Sequence, residues 1–290
     1  MRSLTEFDWK KFFGLLYTRS FETDLFNRAA QVAFYFSFSL FPLLFFLVSL
    51  IGLVLGSADS LRNELFAYFN QVMPSSAFEL VRTTVNEIAS GSSGGKVTLG
   101  LLITLWSASA GVDSVRSSLN AVYRLNETRA WPKMKVQSLA LTFAMVLLII
   151  SVLGIFFYGW LIAQAAIAAA GFHITSPLVL VSIQWLAVIL VLLFACELIY
   201  NLLPNFKKLA WIWITPGSVV AILLWIMLTG GFRLYLEFFN SYNRTYGSLG
   251  AVIILMLWLY LTSIAMLVGG LINAVLNEVT VSRRPLKTNR

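Results

Sequence analysis

Residues 136–170 read VQSLALTFAMVLLIISVLGIFFYGWLIAQAAIAAA, a stretch without one charged side chain. A helix needs about 20 predominantly apolar residues to cross the hydrocarbon core of a bilayer, so this run is long enough to cross and continue. A helix at the surface of a water-soluble fold would show a polar stripe along such a length, and none is present here.

The same reading extends in both directions. Apolar spans are expected at 29–56, 97–115, 136–164, 177–200, 211–232 and 249–276. The whole chain is 59% hydrophobic and 12% charged, with mean hydropathy +0.81, where a soluble domain carries roughly 25% charged residues. The fold class is therefore an all-α integral membrane protein, a bundle of about six transmembrane helices. One transmembrane domain over 29–277 is expected, preceded by a cytoplasmic interfacial segment at 1–28 and followed by a basic tail at 278–290. Outer amphipathic helices are expected within 59–90, broken at Met73-Pro74. In the amino-terminal segment Trp9, Phe12, Phe13 and Leu16 recur at helical spacing beside Lys10 and Lys11. That pattern suits a helix lying in the headgroup layer or packed on the bundle.

The segment 97–115 is the weakest span. Its fifteen uncharged residues, 97–111, rise only about 22 Å as a helix, and reaching Val115 means admitting Asp113. A re-entrant helix is the alternative to a crossing. Loop charges favour the crossing: alternate loops, counted from the amino terminus, hold sixteen of the 21 Lys and Arg residues, and the other set holds five. This is the positive-inside asymmetry of a chain with both termini cytoplasmic. The net charge of +8 thereby points to membrane lipids as partners rather than nucleic acid. The single cysteine, Cys196, excludes an internal disulfide.

No catalytic constellation emerges. The lone His173 falls in a short turn, no Cys or His cluster has metal-ligand spacing, and phosphate or dinucleotide motifs are absent. Neither enzyme activity nor a cofactor is expected. The residues that draw interest are the ionisable ones near apolar spans, because a charge at the bilayer centre costs about 2.5–3.5 kcal/mol on insertion scales. Glu197 reads either as an interfacial carboxylate facing Lys207 or Lys208, or as part of a substrate pathway. Asp113 and Arg116, three apart on a helix, read as a local ion pair or a gate. Tyr242, Asn243, Thr245 and Tyr246 precede the last span and form either an aromatic belt or a polar lining for a headgroup. Gly247 and Gly250 permit close helix contact. Pro42 is a hinge candidate in the first span, and Gly230-Gly231 is expected to end or bend the fifth.

Several of these runs resemble one family. They are Ala29-Ala30-Gln31-Val32-Ala33-Phe34-Tyr35 leading to Phe41-Pro42, Leu105-Trp106-Ser107-Ala108-Ser109 with Leu119-Asn120, and Leu203-Pro204-Asn205. The most specific is the stretch from Tyr242 to Ala251, continuing to Leu257-Trp258-Leu259-Tyr260. From about Asp24 to Asn277 the chain resembles the YihY/BrkB family of bacterial inner-membrane proteins, formerly labelled ribonuclease BN-like. The resemblance implies a multi-pass protein of the bacterial inner membrane. In one respect the chain departs from the family: Leu271 stands where an acidic residue is typical. The expected function is a transporter or translocator of a lipid or other amphipathic envelope solute. A non-catalytic membrane scaffold or regulator that binds partner proteins is the alternative, an envelope protein or a second copy in a homo-oligomer being the partner to expect, and a ribonuclease finds no support in these residues.

Overall fold

A computed structural model describes residues 8–55, 94–169, 176–206, 211–238 and 248–281, with isolated positions at 63, 66, 67 and 82. The described residues form seven helices and no strand: α1 (Trp9–Glu22), α2 (Leu25–Leu55), α3 (Gly94–Val122), α4 (Trp131–Ala169), α5 (Pro177–Leu202), α6 (Pro216–Phe238) and α7 (Ser248–Val281). The segment 59–90, His173, the run Tyr242–Gly247 and most of the basic tail lie outside the described residues.

Helix starts follow local chemistry. Asp8 caps α1 by accepting from the Lys11 N–H at 2.9 Å. Pro177 opens α5, Pro216 opens α6, and Pro132 stands second in α4. Proline is tolerated in the first turn, where its missing N–H would find no intrahelical partner. This shifts the fifth apolar span: expected from 211, the helix begins at Pro216, and 211–215 are not helical. Gly230-Gly231 does not end that helix, which continues to Phe238. An interior glycine costs about 1 kcal/mol against alanine, too little to break a helix flanked by apolar residues. Pro42 lies inside α2. α3 runs unbroken for 29 residues through Asp113 and Arg116.

Four described helical stretches are long and apolar enough to cross a membrane: Trp131–Ala165, Leu178–Leu202, Pro216–Leu236 and Val252–Thr280. Their burial pattern is that of a protein solvated by lipid. Phe156, Trp160, Leu178, Trp185, Leu223 and Met227 are exposed, whereas Ser138, Ser218 and Ser263 are fully buried. In lipid, apolar side chains lose nothing by facing outward, and polar groups seek partners inside.

α2 and α7 sit centrally: α2 packs on α3, α7, α1 and α4, and α7 packs on α6, α2, α1 and α3. Leu25, Ala29, Val32, Leu119, Leu267, Leu271 and Val275 form the fully buried heart of the core. The α6–α7 crossing is closest at Gly217 and Gly269. A Cβ on Gly217 would strike the Gly269 carbonyl and the Asn273 side chain, and one on Gly269 would strike the Tyr200 hydroxyl and the Gly217 carbonyl. Small residues thus set the separation of these two helices. α1 turns back on the bundle through Thr23 and Asp24, the latter at φ 50°. Phe12 is buried in the core while Trp9, Phe13, Tyr17 and Phe21 remain exposed along one side.

Candidate functional site

The first polar cluster surrounds Glu197, near the end of α5. Its side chain is fully buried. Oε1 accepts from the Thr215 N–H at 2.6 Å and the Thr215 hydroxyl at 2.9 Å. Oε2 accepts from Asn201 Nδ2 at 3.0 Å. Glu197 faces the helix interface, where the start of α6 offers it donors that water would otherwise supply. Lys207 and Lys208, its expected partners, lie outside the described residues.

Thr215 is the hub. Its hydroxyl donates to Glu197 and accepts from the Ser218 N–H at 3.2 Å and from Asn273 Nδ2 at 3.0 Å. One donor and two acceptor sites are the full capacity of a hydroxyl. Asn273, on α7, also accepts the Gly217 N–H at 2.8 Å. Three helices thus meet at the first turn of α6, whose free N–H groups and dipole favour an oxygen-rich neighbour. Sequence reasoning singled out Glu197 but missed Asn201, Thr215 and Asn273. The Thr-Pro-Gly-Ser run at 215–218 is a helix-start signal that could have placed the first-turn donors.

A second cluster joins α3 to α4. Arg116 pairs with Asp113 at 2.9 Å and donates to Ser138 Oγ at 2.6 Å and the Met134 carbonyl at 3.1 Å. Lys135 reaches Asp113 at 3.1 Å and Ser109 Oγ at 2.6 Å, 4.5 Å above the Trp106 ring centroid. Below them Arg129 holds Glu127 by two side-chain bonds of 2.7 and 2.6 Å and reaches the Leu203 carbonyl at 2.9 Å. The Arg129 guanidinium lowers the Glu127 pKa to about 2, against a smaller opposing effect of burial. Asn120 bridges Glu127 to the Asn205 N–H. These bonds latch the loop after α3 to the end of α5. Asp113 and Arg116 belong to that latch and stand apart from Glu197.

The third feature is a cavity of about 280 Å³ between α1, the end of α3 and α7. Val122, Leu271, Ala274 and Val275 make its apolar wall, and Arg19, Arg124, Asn277 and Glu278 its polar side. Arg19 pairs with Glu278, and Arg124 pairs with Glu22, so α1 straps the opening. Leu271, standing where the family resemblance leads one to expect an acid, is buried in the core and lines this cavity. Gly250 is buried in the first turn of α7. Tyr242, Asn243, Thr245, Tyr246 and Gly247 lie outside the described residues. Among the described residues no group of three or more His, Cys, Asp or Glu is placed to hold a metal.

Among the described residues, long apolar helices with apolar outer surfaces and an interior of serines, asparagines and one buried carboxyl define the class, a helical membrane protein. The chain belongs to the BrkB family: the family model described as "Virulence factor BrkB" matches residues 16–290. It is 34% identical over 252 residues to a "Putative ribonuclease-like protein YfkH" of Bacillus subtilis (strain 168), covering 87% of this chain and 90% of that one. It is 27% identical over 271 residues to a "UPF0761 membrane protein" of Xanthomonas oryzae pv. oryzae (strain PXO99A), covering 89% of this chain but 59% of that longer one. No solved structure matches the chain significantly.

Proposed function

We propose that the chain translocates a lipid or another amphipathic envelope solute across or within the bacterial inner membrane, and that it is not an enzyme. The observation that carries this reading is the cavity of about 280 Å³, which sets two arginines, paired with Glu278 and Glu22, beside an apolar wall, so that an anionic head would take a glutamate's place. A molecule with an anionic head and a hydrocarbon tail suits both surfaces. In this reading six helices cross the bilayer with both termini cytoplasmic. The 31 residues of α2 and 29 of α3 rise about 46 Å and about 43 Å, enough for a crossing, and the loop charges supply the orientation. The polar run at Tyr242, Asn243, Thr245 and Tyr246 would serve the outer end of the path.

The test is phospholipid scrambling in liposomes containing the purified protein, with Arg19→Ala/Arg124→Ala as the site variant. Protein-dependent movement that falls at least several-fold in the double variant is expected. Equal rates with and without protein would overturn the reading. A scaffold role draws support from the exposed aromatic side of α1, at Trp9, Phe13, Tyr17 and Phe21. It is favoured if a stoichiometric partner or a second copy co-purifies and no solute moves. The Bacillus relative's printed name would carry over only if RNA cleavage tracked the purified chain.

A further inference from the structure

The two sides of α1 have different neighbours. Phe12 is buried, and Leu15 and Leu16 pack beside it on the core. Phe13, Tyr17 and Phe21, spaced four apart, are turned away from the bundle, and Tyr17 is 70% exposed. The Trp9 ring stacks on Phe13 at 6.1 Å, and Tyr17 lies 5.0 Å from Phe21. The rings form one ribbon along the helix, as side chains at this spacing share a face.

The ribbon continues past the end of α1. Phe21 meets Phe26, at the start of α2, with ring centroids 6.3 Å apart. Phe26 opens a second exposed stripe, made by Phe26, Ala30, Phe34 and Phe38, again at four-residue spacing. From Phe26 to Phe38 it climbs about 18 Å along α2. With α2 crossing the bilayer from the cytoplasmic side, lipid covers this stripe, and Phe26 stands at its cytoplasmic end. A surface continuous with the stripe shares its solvent. Trp and Tyr favour the headgroup layer, where an amphipathic ring meets hydrocarbon on one side and water on the other. Lys10 and Lys11, beside Trp9, suit an anionic cytoplasmic surface.

The mouth of the cavity lies in the same turn of helix as the end of the ribbon. Arg19 pairs with Glu278 on α7, and Glu22, next to Phe21, pairs with Arg124 just beyond α3. One turn rises about 5.4 Å, so both ion pairs start within about a turn of a ring in the ribbon. A mouth at that height meets lipid headgroups before it meets bulk water.

We propose that α1 is docked in the cytoplasmic leaflet along Trp9, Phe13, Tyr17 and Phe21, and that it holds the mouth of the cavity at headgroup level. The cavity is then filled sideways, by an anionic phospholipid of that leaflet, and not from the cytosol. The entering phosphate exchanges for Glu278 on Arg19 or for Glu22 on Arg124, one charge-assisted pair for another. This placement rests on the translocator reading of the cavity and on α2 as a crossing helix, but its test measures no transport.

Single spin labels on the full chain, in a Cys196→Ala background and in liposomes containing phosphatidylglycerol, read the immersion of each site. Oxygen, which concentrates in hydrocarbon, and a soluble nickel chelate, which stays in water, are the two relaxing agents. A label at Tyr17→Cys should be relaxed several-fold more by oxygen than one at Thr18→Cys, the exposed neighbour about 100° further round the helix. Soluble nickel should reverse that order. A label at Asn277→Cys, on the polar side of the cavity, should be relaxed by nickel chelated on lipid headgroups. Phe38→Cys, on α2, is the control for the crossing and should be reached by oxygen alone. Should Tyr17→Cys fail to fold, Phe13→Cys carries the same expectation. Position 17 as open to soluble nickel as position 18, or shielded from both agents by a partner protein or a second copy, would overturn the docking. Relaxation at 277 by soluble nickel but not by lipid-bound nickel would overturn the sideways mouth. A label at 38 in water would sink the crossing of α2 and the proposal with it, whereas failure at 17 with 38 in lipid sinks the proposal alone.

Discussion

Thr215→Val is the sharpest test of the three-helix junction, because it removes a hydroxyl while nearly conserving volume. In the wild type that hydroxyl makes three bonds, to Glu197 Oε1 at 2.9 Å, Ser218 N at 3.2 Å and Asn273 Nδ2 at 3.0 Å. Losing a helix cap costs about 1 kcal/mol. Interhelical side-chain hydrogen bonds in a membrane protein contribute about 0.6 kcal/mol each on average, less than the 1–3 kcal/mol for an unsatisfied buried group in water-soluble cores. Two such bonds plus the cap give a loss of about 2 kcal/mol. Thr215→Ser keeps all three bonds and removes one methyl, for about 0.8 kcal/mol or less. Stability would be read by reversible unfolding in mixed detergent micelles, with tryptophan fluorescence reporting near Trp211 and Trp213, whose rings lie 5.7 Å apart. A valine variant within about 0.5 kcal/mol of the serine variant would refute the idea that Thr215 is the hub.

Two further outcomes follow from the packing and the latch. Gly217→Val should destabilise by about 1–3 kcal/mol or prevent assembly of α6 on α7, since its Cβ meets the backbone of Gly269; the same unfolding assay decides it, with exposed Gly230→Ala as a control at or above wild-type stability. Glu127 has a folded pKa lowered from 4.5 to about 2, so its contribution is present above its unfolded pKa and is lost as pH falls through about 2. With screening by solvent this amounts to about 1–2 kcal/mol, and Arg129→Ala should flatten that part of the acid-denaturation profile.

The sequence by itself determined the class, the helical architecture and the family. The charge-free run at 136–170 and the apolar 249–276 need nothing beyond their own length to be read as helices in lipid, because the bilayer obliges a buried backbone to satisfy itself within one segment. Helix ends were legible only in part: Pro177 marks the start of α5, but the fifth span was expected from 211 whereas Pro216 opens α6, and Gly230-Gly231, expected to end or bend that helix, does not end it, because neighbouring apolar residues carry it onward to Phe238. What only the tertiary structure decided is which polar residues meet. Glu197 and Thr215 are 18 positions apart, Thr215 and Asn273 are 58, and Arg129 reaches the carbonyl of Leu203 across 74. Hydropathy is a local property that reports how deeply a residue can sit. The rotation of α6 and α7 about their axes, which brings Thr215 to Glu197 and Asn273 to Gly217, goes with close packing at the small residues Gly217 and Gly269. That packing is a relation between segments, and no single segment contains it.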